Sequence, residues 1–408
     1  MKITLPRHLW YGNSLFDIDL PDNWQVDTSK MNGYDKKPIS LEAIENTIKN
    51  PIHATPLSEM AKGKKRAVII FDDMTRPTRA YEIAPFIVKE LLKGGVEEDY
   101  IVFVCALGTH GALSFNEFRK KLGKDIVKKF RVFNHNIYEN CVSIGKTSRG
   151  TDLMINREVA EADIKIGIGC VTPHVQAGFS GGGKLILPGI AHIDSISHYH
   201  LKVESMARET TGMGKYENNI LRNEIDEAAK MVGIDFFVNV LVNGRGETTD
   251  VFAGDLLAAH IKAVKKAKTH YATEPIPLAK DLVIANAFVK ANEMPIALLA
   301  GIIPLKNFTG TIIIIADSPE GQVVHYLLGR WGTGFGGRQY PISTIPSSVD
   351  LIIMAPYLDK TFGDWFSNPE VITWTENWEE TLEILKPQFG AGTKAAVIPN
   401  ATLQYYKM

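Results

Sequence analysis

The sequence predicts an α/β fold of two domains, each with a mainly parallel sheet flanked by helices. Three observations carry the prediction. KKRAVIIFDD (64–73), IVFVCALGTH (101–110) and ADIKIGIGC (162–170) are apolar almost throughout and alternate with stretches at helical spacing. Strands of that kind belong to a parallel sheet covered on both faces. A second series, DLVIANA (281–287), TIIIIAD (311–317), DLIIMAP (350–356) and AAVIPN (395–400), follows TEPIPLAK (273–280), whose two prolines mark a linker. The expected boundaries are a larger domain over 1–272, the linker 273–280, and a smaller α/β domain over 281–395. Residues 396–408 are a candidate return to the first domain.

The elements follow in chain order. Residues 1–30 alternate and are punctuated by Pro6, Gly12, Pro21 and Asp22, which predicts a short β ribbon. Helices are expected over 41–50, 81–93 with Gly94 and Gly95 as the stop, and 115–129. RVFNH (131–135) is a short strand. The chain is expected to be helical from His200 to about Val232, then to form a hairpin over 235–255 around Asn243-Gly244, then a helix from Leu256 to about Tyr271. The second domain is expected to carry helices near 295–303 and 321–329. There is no internal repeat.

Composition excludes several function classes. A chain of 408 residues suits two domains. Its 45 basic residues against 46 acidic ones leave no overall basic footprint for nucleic acid. No apolar run reaches the roughly 18 residues of a membrane span. The opening MKITLPRHLWYGNSLFDIDL lacks the apolar core and small-residue cleavage site of a signal peptide, so a cytoplasmic protein is expected. An odd count of three cysteines argues against a disulfide framework, and Cys105 and Cys170 lie in apolar runs as buried small hydrophobes.

The chemistry gathers between Cys170 and His200. Gly178–Lys184, GFSGGGK, matches G-x-x-x-x-G-K, the start of a phosphate-binding loop. Leu185 stands where such a loop places the Ser or Thr that holds Mg²⁺. A P-loop-like nucleotide-binding phosphotransferase is therefore an alternative reading, and a tight structural turn is the plain one. Lys184, set between glycines and an apolar run, would be desolvated, which favours a neutral nucleophilic amine and covalent attachment to a cofactor. His198 and His200 form H-x-H, a weak metal signal suited to nickel, copper or zinc, with the remaining bonds left to a non-protein ligand.

Asp72-Asp73, His110 and His174 each follow the carboxyl end of an apolar strand, where ligands sit in folds of this type. His110 and His174 are candidates for paired acid–base work, since inversion at one carbon needs a proton removed and returned. Asp73, Met74, Thr75 and Arg76 suit a phosphate, or else Asp73 and Thr75 cap a helix starting near Pro77. Gly332–Arg338 is a second glycine-rich loop, read as a lid or a plain loop.

Together, DDMTRP, GTH, TPHVQAGFSGGGKLILPGI and His200 resemble the lactate racemase family, whose members use a nickel-pincer nucleotide, Ni(II) pyridinium-3,5-bisthiocarboxylic acid mononucleotide. The resemblance implies a racemase or epimerase that inverts C2 of a 2-hydroxy acid by proton-coupled hydride transfer, with its active site in the cleft between the two domains. It implies that Lys184 joins the cofactor and that Gly182 and Gly183 line it. It makes His200 the nickel ligand, with His198 as the lesser alternative, and His110 and His174 the acid–base pair. Asp73, Met74, Thr75 and Arg76 would hold the nucleotide. Maturation proteins that build the cofactor are implied partners, and the number of subunits is left open. The chain departs from lactate-using members in the PIALLAGI stretch, where Ala297 and Ala300 replace a Gln and a Lys that grip the substrate carboxylate. Arg76, Lys290 or Lys306 would then have to bind it, with Asn292 and Glu293 on further hydroxyls of a larger acid. A non-catalytic protein that carries the cofactor is a third reading.

Overall fold

The computed structural model describes residues 1–335 and 342–407. The chain divides into two compact units. One comprises residues 36–243 and 247–269; the other comprises 1–35, 244–246 and the chain from 270 onward.

The unit built from 36–269 holds a six-stranded sheet. Its spatial order is Thr248–Gly254, Phe236–Val242, Ile164–Cys170, Ala67–Asp72, Ile101–Ala106 and Arg131–Asn134. Only the first pair is antiparallel. Ala67–Asp72 is buried at every position, as an apolar central strand with helices on both faces must be. Register pairs Asp72 with Ala106 and Phe71 with Ile168, so three strands end at nearly one level. The expected helix over 115–129 is two helices, Phe115–Leu122 and Lys124–Lys129. A capping box of Ser114 and Glu117 starts the first, and Gly123 at φ 85° ends it. The hairpin Cys141–Lys146 with Asp152–Asn156 was not foreseen; its strands are only partly buried and carry weak alternation.

The other unit holds a wholly parallel sheet in the order Thr373–Thr375, Val349–Met354, Gly310–Ile315, Leu282–Asn286, Lys394–Ile398 and Gln25–Thr28. Alternate residues of each strand enter opposite cores, as the two-residue period requires. Val283, Ile312 and Ile314 pack with Met294, Ala297 and Leu298 on one face. Ile284, Ile313 and Ile315 pack with Leu5, Ile18 and Trp24 on the other. The expected ribbon is present as Lys2–Pro6 with Leu15–Asp19.

The expected boundaries need correction. Residues 1–35 belong with the second unit because Gln25–Thr28 adds a strand to its sheet. Residues 396–408 do not return to the first unit, since Lys394–Ile398 pairs with Leu282–Asn286, and 273–280 are part of the same unit. The helix expected from His200 to Val232 is also replaced. After short turns over Tyr199–Val203 and Glu204–Met206 the chain is irregular, with Gly212 and Gly214 at positive φ. The helix begins only at Ile220, where the Asn219 side chain accepts the Arg222 N–H. No helix covers 321–328: Gly321 has φ 73°, and His325 Nδ1 accepts the N–H groups of Leu327 and Leu328. Of the glycine-rich stretch Gly332–Arg338, residues 336–338 lie outside the described residues.

Candidate active site

The levelled strand ends of the first unit bring two acids to one place. Asp72 Oδ2 accepts the Thr78 hydroxyl at 2.5 Å and the Cys170 N–H at 3.1 Å, tying two strand termini together. Asp73 Oδ1 accepts from the Thr75 N–H at 3.0 Å and its hydroxyl at 2.6 Å. Arg76 donates to the Thr75 carbonyl at 3.1 Å and its hydroxyl oxygen at 2.8 Å. Beneath the turn the buried Lys121 ammonium donates to the carbonyls of Asp73 at 2.7 Å and Arg76 at 2.8 Å, and lies 2.8 Å from Asp72 Oδ1 as an ion pair. No helix starts at Pro77. The next helical residues are Ala80–Glu82, so the capping alternative for Asp73 and Thr75 fails and their polar groups serve the turn itself.

His110 ends a turn in which Gly108 takes φ 56° and donates to the Gly189 carbonyl. Its Nδ1 lies 2.5 Å from Asp73 Oδ2. Burial works to raise the Asp73 carboxyl, yet the facing His110, Arg76 and Thr75 hold it well below the usual carboxylate range. A carboxylate at Nδ1 fixes the ring proton there and leaves Nε2 as the basic nitrogen of the neutral ring. His174 is held the other way. It sits in a two-residue strand, Pro173–His174, paired with Gly178–Phe179, and its Nδ1 accepts the N–H groups of Gln176 at 3.1 Å and Ala177 at 3.2 Å. The proton of the neutral His174 ring is therefore on Nε2. The two histidines occupy opposite tautomers.

The glycine-rich loop is gripped from outside. Arg222, fully buried, donates to the carbonyls of Phe179 and Gly181, and His260 Nε2 donates to that of Ser180 at 2.9 Å. Asn239 Oδ1 accepts the Gly182 N–H at 3.1 Å. A Cβ on Gly182, which has φ 55°, would lie 2.7 Å from the His260 ring. Burial, joined by the Arg222 charge and opposed by the Ser180 carbonyl, pushes His260 down to about 3, so it is a neutral donor. After the loop, Gly182–Leu185 forms a single 3₁₀ turn with Leu185 buried. A phosphate-binding loop needs a helix N-terminus at that point. The phosphotransferase alternative lacks its anion site here.

His198 and His200 lie where the helix Ile193–His198 runs into the turn Tyr199–Val203. His198 Nδ1 is 2.9 Å from the Thr151 hydroxyl oxygen, and that hydroxyl donates to Glu224 Oε1 at 2.6 Å. With the hydroxyl proton given to Glu224, His198 must donate from Nδ1. His200 Nδ1 lies 3.3 Å from both Glu204 Oε2 and Gln176 Nε2, and Gln176 Nε2 donates to that carboxylate oxygen at 2.8 Å. Burial lowers the His200 pKa; Glu204 opposes this, and the nearby Lys184 charge adds to it.

In the second unit, Lys290, Asn292 and Glu293 are buried in the turn Phe288–Glu293 that follows Leu282–Asn286. Asn292 Oδ1 has no hydrogen-bond partner. Ala297 and Ala300, on the helix Ile296–Ile302, sit in an apolar core, whereas Lys306 is exposed. Sequence reasoning missed Lys121, Gln176, Glu204, Arg222, Asn239 and His260. Glu204, four residues after His200, was findable from helical i, i+4 spacing; Lys121 and Arg222 look like ordinary surface cations in sequence.

Residues 11–212 match the family model described as the lactate racemase N-terminal domain. The lactate racemase of Thermoanaerobacterium thermosaccharolyticum is 33% identical over 362 residues, 87% of this chain and 82% of that protein. The lactate racemase of Lactiplantibacillus plantarum is 33% identical over 229 residues, 56% of this chain and 54% of that one. The solved apoprotein of the Thermoanaerobacterium enzyme matches with a TM-score of 0.76 at 24% identity over 100% of both chains. A solved Thermotoga maritima protein matches with 0.68 at 18% identity, over 92% of this chain and 100% of its own. The chain belongs to the lactate racemase family and is an isomerase.

Proposed function

We propose that the chain inverts C2 of a 2-hydroxy acid by proton-coupled hydride transfer, using a nickel-pincer nucleotide joined to Lys184 and ligated by His200. The observation that carries the reading is the opposite tautomers of His110 and His174. His110 offers Nε2 as the base for the substrate hydroxyl proton, and Asp73 stabilises the imidazolium that results. His174 presents an Nε2–H made more acidic by the two backbone donors on its Nδ1, and serves as the acid toward oxygen. The residues fit the cofactor. A part-buried imidazole backed by a carboxylate is a suitable nickel donor, and the Lys184 charge reaches that ring. Thr75 and Arg76, in the turn braced by Lys121, bind the nucleotide with Asp73 and Met74, and the backbone of Gly182 and Gly183 lines it. When bound, that group supplies the acceptor and donor of the C2 hydride.

The substrate is a 2-hydroxy acid larger than lactate, a sugar acid or a dicarboxylate. Ala297 and Ala300 offer a carboxylate nothing polar, while Arg76, Lys290, Asn292 and Glu293 offer charge and hydrogen bonds. Burying a carboxylate unpaired costs several kcal/mol, on the order of ~3–5, so one of these cations must meet it. The cofactor-making enzymes are the partners, and the cytoplasm is the site of action. Intact-mass measurement after co-expression with those enzymes tests the reading: an adduct is expected on the wild type and not on Lys184→Ala. Loss of optical activity across a panel of 2-hydroxy acids tests the substrate, and robust turnover of lactate alone would count against the larger acid.

A further inference from the structure

We infer that Glu204, locked by Gln176, is the positioning residue that turns His200 into a metal ligand, an inference that rests on the cofactor reading above. A histidine that binds a metal through Nε2 must keep its proton on Nδ1, and an acceptor at Nδ1 both fixes that tautomer and makes Nε2 a stronger donor. Glu204 Oε2, 3.3 Å from His200 Nδ1, is that acceptor; the Gln176 amide nitrogen, also 3.3 Å from Nδ1, is a donor whose contact would favour the other tautomer, so the carboxylate is what holds the proton on Nδ1. The carboxylate is itself held, because Gln176 Nε2 donates to the same oxygen at 2.8 Å. Gln176 is in turn fixed at its backbone: its carbonyl accepts the Asn219 side-chain amide at 2.8 Å, and its N–H donates to His174 Nδ1 at 3.1 Å. One residue thereby sets the tautomer of His174 through its main chain and the orientation of His200 through its side chain. The i, i+4 spacing of His200 and Glu204 across the turn Tyr199–Val203 brings the pair together. His198, two residues earlier, is engaged with Thr151 and has no such carboxylate at its Nδ1.

Two measurements test this. In the apoprotein, nitrogen-15 histidine spectra, with His200 assigned from a His200→Gln variant, are expected to show the Nδ1–H tautomer in the wild type. The Nε2–H form should gain in Glu204→Ala and, less strongly, in Gln176→Ala. A wild-type His200 protonated on Nε2, or a tautomer unchanged in both variants, overturns the inference. In the co-expressed holoprotein, Glu204→Ala is expected to lose nickel to a chelator about tenfold faster or more than the wild type, with the Lys184 adduct mass retained and Glu204→Gln falling between. Equal nickel loss in Glu204→Ala and wild type also overturns it. Absence of any adduct on the wild type sinks the cofactor reading instead, and the apoprotein spectra still decide the role of Glu204. Retention of the wild-type tautomers of His110 and His174 in each variant separates a local effect from misfolding.

Discussion

Replacing Lys121 by methionine probes the support beneath the Asp73–Arg76 turn. The lysine side chain has no exposed surface, and its ammonium serves two carbonyls and the Asp72 carboxylate. Methionine fills the volume of the stem, so little cavity energy is added. What is lost is the cation. Breaking a buried ion pair from one side costs ~3–5 kcal/mol, because the other charge stays behind. Asp72 keeps the Thr78 hydroxyl and the Cys170 N–H on its other oxygen, which points to the lower end, about 3 kcal/mol. For a compact unit of about 230 residues, at ~2–4 °C per kcal/mol, the melting transition should fall by roughly 6–12 °C. Adding Asp72→Asn to Lys121→Met removes the stranded charge. The double variant should then be more stable than the sum of the single losses by ~0.5–3 kcal/mol. Thermal and urea unfolding at neutral pH measure both. A Lys121→Met protein within about 1 kcal/mol of wild type, or strict additivity in the cycle, would refute the assignment of a coupled buried pair.

The acid side of the stability curve offers a second check. Burial lowers His260 to about 3 and His135 to about 4, with the Arg222 charge assisting at His260 and a backbone carbonyl opposing at each. Both folded values lie below the ordinary 6.5, so the unfolded chain binds protons that the folded one refuses. Their contribution is intact above about pH 6.5 and erodes toward pH 4 at ~1.4 kcal/mol per unit per histidine. Lowering pH from 7.5 to 5.5 should cost ~2–3 kcal/mol in urea unfolding, and His260→Gln should roughly halve that slope. Nickel analysis of co-expressed protein should show His200→Gln depleted by about tenfold or more and His198→Gln near wild type, with the latter less stable by ~1 kcal/mol for the donor it removes from the Thr151 hydroxyl oxygen. Asp73→Asn should lower kcat by ~10²–10⁴ through the wrong His110 tautomer, and unchanged kcat would remove Asp73 from the proton path.

Much of the fold was readable because buried parallel strands announce themselves. AVIIFD, IVFVCA and IKIGIGC are apolar without alternation, and the residues that follow each of them stand at the ends of neighbouring strands. The signals failed where tertiary contacts overrule local ones. Gln25–Thr28 is a polar edge strand whose only reason to exist is a partner far along the chain. The stretch after His200 contains enough helix formers to suggest continuity, yet Gly212, Gly214 and the Asn219 cap divide it. Within the candidate site, Asp73 and His110 follow strand ends legible in the sequence, and the structure pairs them. The roles of Lys121, Arg222 and His260 were not legible there, because a basic residue destined for complete burial carries no mark of it until its carbonyl acceptors are known.

The pairing of Gln25–Thr28 with Lys394–Ile398 also governs how the molecule is born. The amino-terminal edge strand leaves the ribosome first, yet the neighbour it needs is translated some 370 residues later, a delay of roughly 20–70 s at ordinary elongation rates. Meanwhile residues 36–269 can close around their own sheet as soon as they emerge. For that interval Leu5, Ile18 and Trp24 of the opening segment lack the sheet face on which they later pack.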